Sequence, residues 1–333
     1  MHILQFIGNS KINVVEEPTP TPGPGQVLVQ TAVSALCGSE LHGYRGAGRA
    51  QGNSGHEAAG TVIALGEGVT TLQVGQRVGL CAVVGCGRCD ECTEGRYTWC
   101  KTHQVYSDMH AEKIVIPVHG CHPLPDNVSW QAGVLLSGDG LGVPYHTGTR
   151  LTEPTIETIA IFGVGPIGLG HTLLQTFYGR QVIAVDISLT RLDYATALGS
   201  THVIDAASTD PVVQIQKLTG GRGADVCIEA AGRSGTLNQC FAAVRTNGTV
   251  VMNGEQAAVE VSPSRQFIRR DITAFGSWFY HFGEFPAMVA LYRQGLPVEK
   301  LVTHTFPSID ADYAFGEFAA GRTGKVLLEW AVG

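Results

Sequence analysis

From Thr158 onward the chain alternates short apolar runs with helix-like stretches, and this alternation restricts the fold more than any other feature. The runs are TIAIFG, QVIAVD, HVID, ADVCIEA, GTVVMNG and ITAFGSW. They are short and apolar or β-branched, as strands are. Helical patterning fills the gaps at 166–178, 188–198, 211–218, 235–244 and 264–270. Strands that alternate with helices predict a parallel sheet with crossover helices. Six strands in that order match an α/β doubly wound dinucleotide-binding (Rossmann) sheet.

The first turn of this half reads Gly163-Val164-Gly165-Pro166-Ile167-Gly168, a GxGxxG that follows a strand and opens a helix. Gly163 permits a tight turn, Gly165 lets a pyrophosphate approach the backbone, and Gly168 lets helix and strand pack closely. The helix start offers free N–H groups and positive dipole to phosphate. The second strand ends at Asp186, eighteen residues beyond Gly168. A carboxylate there accepts hydrogen bonds from ribose hydroxyls and repels a 2′-phosphate, so NAD is expected rather than NADP. Arg191, close by in sequence, blurs that choice, because a guanidinium can hold a phosphate. The other reading of the motif is a glycine-rich turn without a nucleotide.

The first part of the chain is β-rich with irregular connections. Pro18, Pro20, Pro22 and Pro24 exclude helix there. Strands are expected at 26–36, 59–65, 74–80 and 113–118, and a glycine-rich loop at 43–54. A helix is expected from 129 to about 150, irregular near Gly138, Gly140 and Gly142. From 284 the chain shows a helix at 285–294 and a strand at 325–330.

Cysteines add a second constraint. Cys86, Cys89, Cys92 and Cys100 form C-x2-C-x2-C-x7-C, a spacing that can wrap one tetrahedral zinc, with Gly85, Gly87 and Gly95 for tight turns. Such a site is closed and structural. An iron–sulfur cluster or free thiols are the other readings. The nine cysteines are odd in number and mostly clustered, which suits thiolates in a reducing compartment, the cytoplasm by default. Cys37, His56 and Glu57 bring sulfur, nitrogen and oxygen donors into one short stretch, and Ser39 and His42 beside them can carry a proton.

Composition removes several classes of function. A chain of 333 residues with 44% hydrophobic and 15% charged residues reads as a globular protein of two domains. A net charge of −7 with no basic block gives no footprint for nucleic acid. No apolar run approaches a membrane span, and MHILQFIGNSK lacks the pattern of a signal peptide.

Taken in order, these motifs resemble the zinc-dependent medium-chain alcohol dehydrogenases over nearly the whole chain. CGSELH is similar to that family's catalytic-metal strand end, and GHEAAGTVIALGEGV to its GHE segment. The four cysteines match its structural-zinc lobe, GVGPIG with VIAVD its NAD fold, and LVTHTFPSIDADYAFGEFAAGRTGKVLLEW its closing segment. The resemblance implies a GroES-like catalytic domain at 1–142 with the zinc lobe at 81–100. It implies an NAD-binding domain at 143–283 and a return to the catalytic domain at 284–333.

It also implies roles. Cys37 and His56 are expected zinc ligands, with Glu57 able to enter or leave the shell. The family's third ligand falls twenty-four or twenty-five residues before the first glycine of the nucleotide motif, and twenty-four before Gly163 is Asp139. Asp139 as a helix cap, with Glu57 or a water completing the shell, is the other reading. Ser39 and His42 would relay the substrate proton to solvent. Two zinc ions per chain, one catalytic and one structural, are therefore expected.

The implied activity is hydride transfer between a secondary alcohol or polyol, or a threonine-like hydroxy compound, and NAD, giving a ketone. A homodimer or homotetramer is expected, with 272–280 as a pairing edge strand. The short loop between His42 and His56 departs from the family pattern, with Asn53-Ser54 before GHE. It is expected to line the substrate side, where Tyr44, Arg45 and Arg49 can meet a hydroxylated or anionic substrate or face solvent. The alternatives are a zinc-free quinone or enone reductase on the same fold and a non-catalytic NAD-binding protein.

Overall fold

Residues 1–330 are described by a computed structural model. They fall into two units, Met1–Gly142 together with the chain from Phe279 onward, and Val143–Trp278.

The first unit begins with the antiparallel hairpin of β1 (His2–Gly8) and β2 (Lys11–Glu16). Its main sheet contains β3 (Gln26–Ala35), β4 (Ala58–Leu65), β5 (Arg77–Leu80), β8 (Lys113–Pro117) and β9 (Cys121–Pro123). Between β5 and β8 lies a lobe with the short strands β6 (Val83–Val84) and β7 (Gln104–Val105). The return segment adds α9 (Phe285–Arg293), β16 (Val302–Pro307), α10 (Ala311–Ala319) and β17 (Lys325–Glu329). The order is β16-β17-β3-β4-β5-β9, with β8 also on β3. The last strand is therefore an inner one. Leu4, Phe6, Leu36, Tyr44, Phe315, Phe318 and Leu328 form one core of this unit.

Three expectations shift here. The loop starts later than residue 43, because α1 (Leu41–Arg45) occupies its first positions. The strand expected at 74–80 begins at Arg77. The single helix expected at 129–150 is two, α3 (Trp130–Leu136) and α4 (Asp139–Thr149). Ser129 caps α3, its hydroxyl accepting from the Ala132 amide at 3.0 Å. Ser137 ends it by donating its hydroxyl to the Gly133 carbonyl, and the Tyr280 hydroxyl donates to the Ser137 carbonyl at 2.6 Å. The axis breaks at this point, between Leu136 and Asp139.

In the second unit, β10 (Thr158–Phe162), β11 (Gln181–Asp186), β12 (His202–Asp205), β13 (Ala224–Glu229), β14 (Val244–Met252) and β15 (Thr273–Gly276) pair in parallel. Their order, β12-β11-β10-β13-β14-β15, is that of a doubly wound nucleotide-binding sheet. Helices α5 (Pro166–Phe177), α6 (Leu189–Ala197), α7 (Pro211–Leu218) and α8 (Ser234–Ala243) make the crossovers. Every residue of β10 and β13 is buried. That burial explains why these strands read as unbroken apolar runs.

Candidate metal centres and nucleotide turn

Strand pairing brings the first donor set together. Cys37 follows β3, and His56-Glu57 precede β4. These strands are antiparallel neighbours with Ser34 opposite Ala58, and the Ala35 amide donates to the Glu57 carbonyl at 3.0 Å. β17 lies on the other side of β3, with Leu327 opposite Ala35, and so delivers Lys325 to the same spot. The helix break supplies Asp139 at the first position of α4. Asp139 Oδ2 lies 3.6 Å from Cys37 Sγ and 3.1 Å from His56 Nε2.

One ligand atom from each of Cys37, His56, Glu57 and Asp139 lies within 4.8 Å of the others. Lys325 is buried and pairs with Glu57 Oε1, one cation against three anionic donors. Glu57 Oε2 and Asp139 Oδ1 are buried without hydrogen-bond partners. Two orphaned carboxylate oxygens are costly unless a cation fills the space between them. Burial disfavours an imidazolium at His56, yet the charge of Cys37 and the hydrogen bond to Asp139 outweigh it and raise its pKa well above 6.5. The pocket draws positive charge. His56 Nδ1 lies 3.0 Å from the Ser54 carbonyl, which only accepts, so Nδ1 carries the proton and Nε2 is the ligating nitrogen. Sulfur, imidazole and carboxylate around a buried pocket fit zinc.

The second set is the cysteine lobe. Cys89 Sγ lies 3.5 Å and Cys86 Sγ 3.9 Å from Cys92 Sγ, and all four sulfurs are within 4.8 Å of one another. Tetrahedral zinc with bonds of about 2.3 Å sets its sulfurs about 3.8 Å apart, whereas a disulfide needs about 2 Å. Backbone N–H groups of Arg88 and Cys89 point at Cys86 Sγ and lower its pKa to about 6. Burial and the neighbouring sulfurs push Cys92 up to about 12. Sulfurs spaced in this way suit a shared tetrahedral cation.

The glycine turn follows β10. Gly163 has φ of +89°, and a Cβ there would meet the Ala231 backbone. A Cβ on Gly168 would overlap the Gly163 carbonyl. At Gly165 a Cβ would meet only the Arg191 guanidinium, at 3.8 Å, which leaves the turn open in front of a cation. Val164, Pro166 and Ile167 complete the turn, with Pro166 at the first position of α5. Asp186 accepts from the Val164 amide at 2.8 Å and the Ser188 amide at 2.9 Å. Each oxygen keeps a lone pair for a ligand hydroxyl. Beyond β14 and β15, Asn253 donates to Thr147 Oγ1 at 3.1 Å and to the Ser277 carbonyl at 2.9 Å.

Ser39 lies on a short 3-10 turn (Gly38–Glu40) and His42 on α1, and both are exposed. Of the residues offered for substrate contact, Tyr44 and Arg45 have partners in the first unit, and Arg49 is exposed. Tyr44 is buried against Phe315, with ring centroids 5.5 Å apart. Arg45 donates to the Ala319 carbonyl at 2.6 Å. The backbone N–H of Arg49 bonds the Phe6 carbonyl at 2.9 Å. The loop before GHE is stitched to β1 and to residues 108–110 through Asn53, which is fully buried. Asn53 donates to the Leu4 and His110 carbonyls and accepts from the Gly55 amide. Its place before GHE is a bracing one.

The search by sequence also missed Lys325, Glu40 and His110, which surround the first donor set. Their partners lie far along the chain.

Two family models match the chain: an alcohol dehydrogenase GroES-like domain over residues 23–126 and a zinc-binding dehydrogenase over residues 166–294. The chain is 31% identical to a probable D-xylulose reductase A of Aspergillus fumigatus, covering 98% of this chain and 96% of that one. A dehydrogenase of Escherichia coli CFT073, solved with NADH, superposes with a TM-score of 0.88 at 26% identity over 99% of each chain. The 2R,3R-butanediol dehydrogenase of Bacillus subtilis gives 0.85 at 25% identity over 98% of this chain and 99% of that one.

Proposed function

The chain belongs to the zinc-dependent medium-chain alcohol dehydrogenases, and from that premise we propose that it interconverts a secondary alcohol of a polyol and the corresponding ketone with NAD. The observation that carries the reading is the buried cluster of Cys37, His56, Glu57 and Asp139 with its two orphaned carboxylate oxygens. The choice of polyol follows the xylulose reductase and butanediol dehydrogenase relatives.

In this reading Cys37, His56 and Asp139 hold the catalytic zinc, and Cys86, Cys89, Cys92 and Cys100 hold the structural one. When bound, the catalytic zinc supplies a Lewis acid that eases loss of the substrate hydroxyl proton. Lys325 holds Glu57 Oε1 and so keeps that carboxylate in reserve. The Ser39 hydroxyl takes the substrate proton and His42 passes it to solvent, consistent with the exposure of both. Gly163, Gly165, Gly168 and the start of α5 bind the pyrophosphate, with Val164, Pro166 and Ile167 shaping the turn. Arg191 faces that turn, and Asp186 accepts from the ribose hydroxyls.

The test is NADH formation over a panel of polyols, amino-alcohols and simple secondary alcohols, with NADP in parallel and Cys37→Ala as control. Turnover with NAD that is lost in Cys37→Ala supports the reading. Full activity in the variant overturns the metal assignment.

The assembly we propose is a homodimer or a homotetramer. β15, an edge strand paired with β14 alone among the described residues, offers its free side to a second copy. Light scattering that returns the monomer mass would contradict it. No helix among the described residues is long and apolar enough to cross a membrane. A cytoplasmic setting suits the nine free thiols.

A further inference from the structure

Behind His56 runs a line of buried polar side chains that do not reach the metal pocket themselves. Trp330 Nε1 donates to Ser34 Oγ at 2.9 Å. Ser34 Oγ lies 2.8 Å from His110 Nδ1, and His110 Nε2 lies 3.0 Å from Glu40 Oε2. Glu40 Oε1 is 3.5 Å from His56 Nδ1. Ser34, Glu40 and His110 are wholly buried and Trp330 nearly so.

With His110 neutral, one placement of protons satisfies Trp330, Ser34 and His110. An indole N–H only donates, so Ser34 Oγ accepts from Trp330 and turns its own hydroxyl hydrogen to His110 Nδ1. The His110 proton then sits on Nε2, aimed at the Glu40 carboxylate. Reversing the ring would set a lone pair of Nε2 against a carboxylate lone pair. Glu40, held by one oxygen, leaves the other without a hydrogen bond beside His56 Nδ1, whose N–H is bonded to the Ser54 carbonyl. Four side chains from distant parts of the first unit, Trp330 to Glu40, thus share one direction of donation, and it ends beside His56. Ser34 belongs to β3, and Trp330 directly follows β17.

We propose that His110, backed by Ser34 and Trp330, is a positioning residue for the metal centre. It fixes the Glu40 carboxylate 3.5 Å from His56 Nδ1, where its charge reinforces the tautomer set by the Ser54 carbonyl, the one that presents Nε2 to zinc. This rests on the assignment of Cys37, His56 and Asp139 as zinc ligands. Outer partners of metal-bound histidines typically change metal affinity by about 10–100-fold when removed, and the same range is expected here.

The test measures zinc affinity of the full chain by competition with a chromophoric chelator, together with the visible spectrum of the cobalt-substituted protein. The variants are His110→Phe, His110→Gln, Trp330→Phe and Cys37→Ser. His110→Phe should weaken one of the two zinc ions by about 10–100-fold and alter the cobalt spectrum, leaving the four-cysteine ion unchanged. His110→Gln, which can accept from Ser34 and donate to Glu40, should restore part of the loss. Wild-type affinity in His110→Phe, or an equal loss at both ions, overturns the proposal. If His110→Phe does not fold, Trp330→Phe decides: weaker binding of the same ion supports the proposal and unchanged binding overturns it. Cys37→Ser separates the two levels, because two tightly held zinc ions in that variant would mean that the ligand assignment itself is wrong.

Discussion

Lys325 shows how much one side chain can carry when it is sealed from water. It is the sole positive charge among the residues named around the first donor set, and it lies against a carboxylate buried as deeply as itself. Replacing it with methionine leaves Glu57 charged and unpaired, at a cost of about 3–5 kcal/mol. Burial already raises the Glu57 pKa, so the loss should be larger at pH 8 than at pH 5, where the carboxyl can take a proton. Urea unfolding of Lys325→Met at both values checks the size and the sign.

His122 makes a second prediction at this scale. It is stacked between Phe282 and Phe285 with centroids 4.0 and 4.1 Å away, and burial pushes its pKa down to about 3. The unfolded chain binds a proton there near pH 6.5 and the folded chain does not. Stability should therefore fall as pH drops from 6.5 toward 3, by up to about 1.4 kcal/mol per unit from this group. His122→Phe should flatten that slope in a pH series of denaturation curves.

At the scale of elements, the two breaks that matter are the glycine turn after β10 and the interruption between α3 and α4. A methyl group at Gly168 has no space beside the Gly163 carbonyl. Overpacking of about 1–3 kcal/mol placed on the turn should weaken NADH binding by about tenfold or more in Gly168→Ala. Isothermal titration measures it directly. The Rossmann elements were legible in the sequence because parallel strands buried on both faces leave continuous apolar runs, and because the turn chemistry is local. The interruption at Ser137 was not. The Ser137 carbonyl there is held by the Tyr280 hydroxyl, more than a hundred residues away, and no local pattern encodes that. β16 and α10 were missed as elements for a related reason. VTHTFP is half-exposed along its length and shows neither alternation nor an apolar run. The sulfur and nitrogen donors stood out by residue type, whereas Lys325 and His110 acquire their roles through contacts 268 and 70 residues distant in sequence.

Across the whole molecule, two donor sets of different character predict two different exchange behaviours. Elemental analysis should find zinc at both sets, two ions per chain. A chelator should strip them in two phases, with the four-cysteine ion slower because its shell is closed. Loss of the slow phase alone in Cys100→Ser, with the fast phase retained, would confirm which phase belongs to the lobe.

The position of β17 inside its sheet has a consequence for biosynthesis. A ribosome delivers Cys37, His56, Glu57 and Asp139 first, then the entire nucleotide-binding unit, and only afterwards the strand that slots between β16 and β3. Until that strand emerges, the three acidic and thiol donors have no ammonium partner, and the indole that anchors the histidine line does not yet exist. A nascent chain arrested before residue 325 would thus hold an incomplete sheet and an unneutralised cavity.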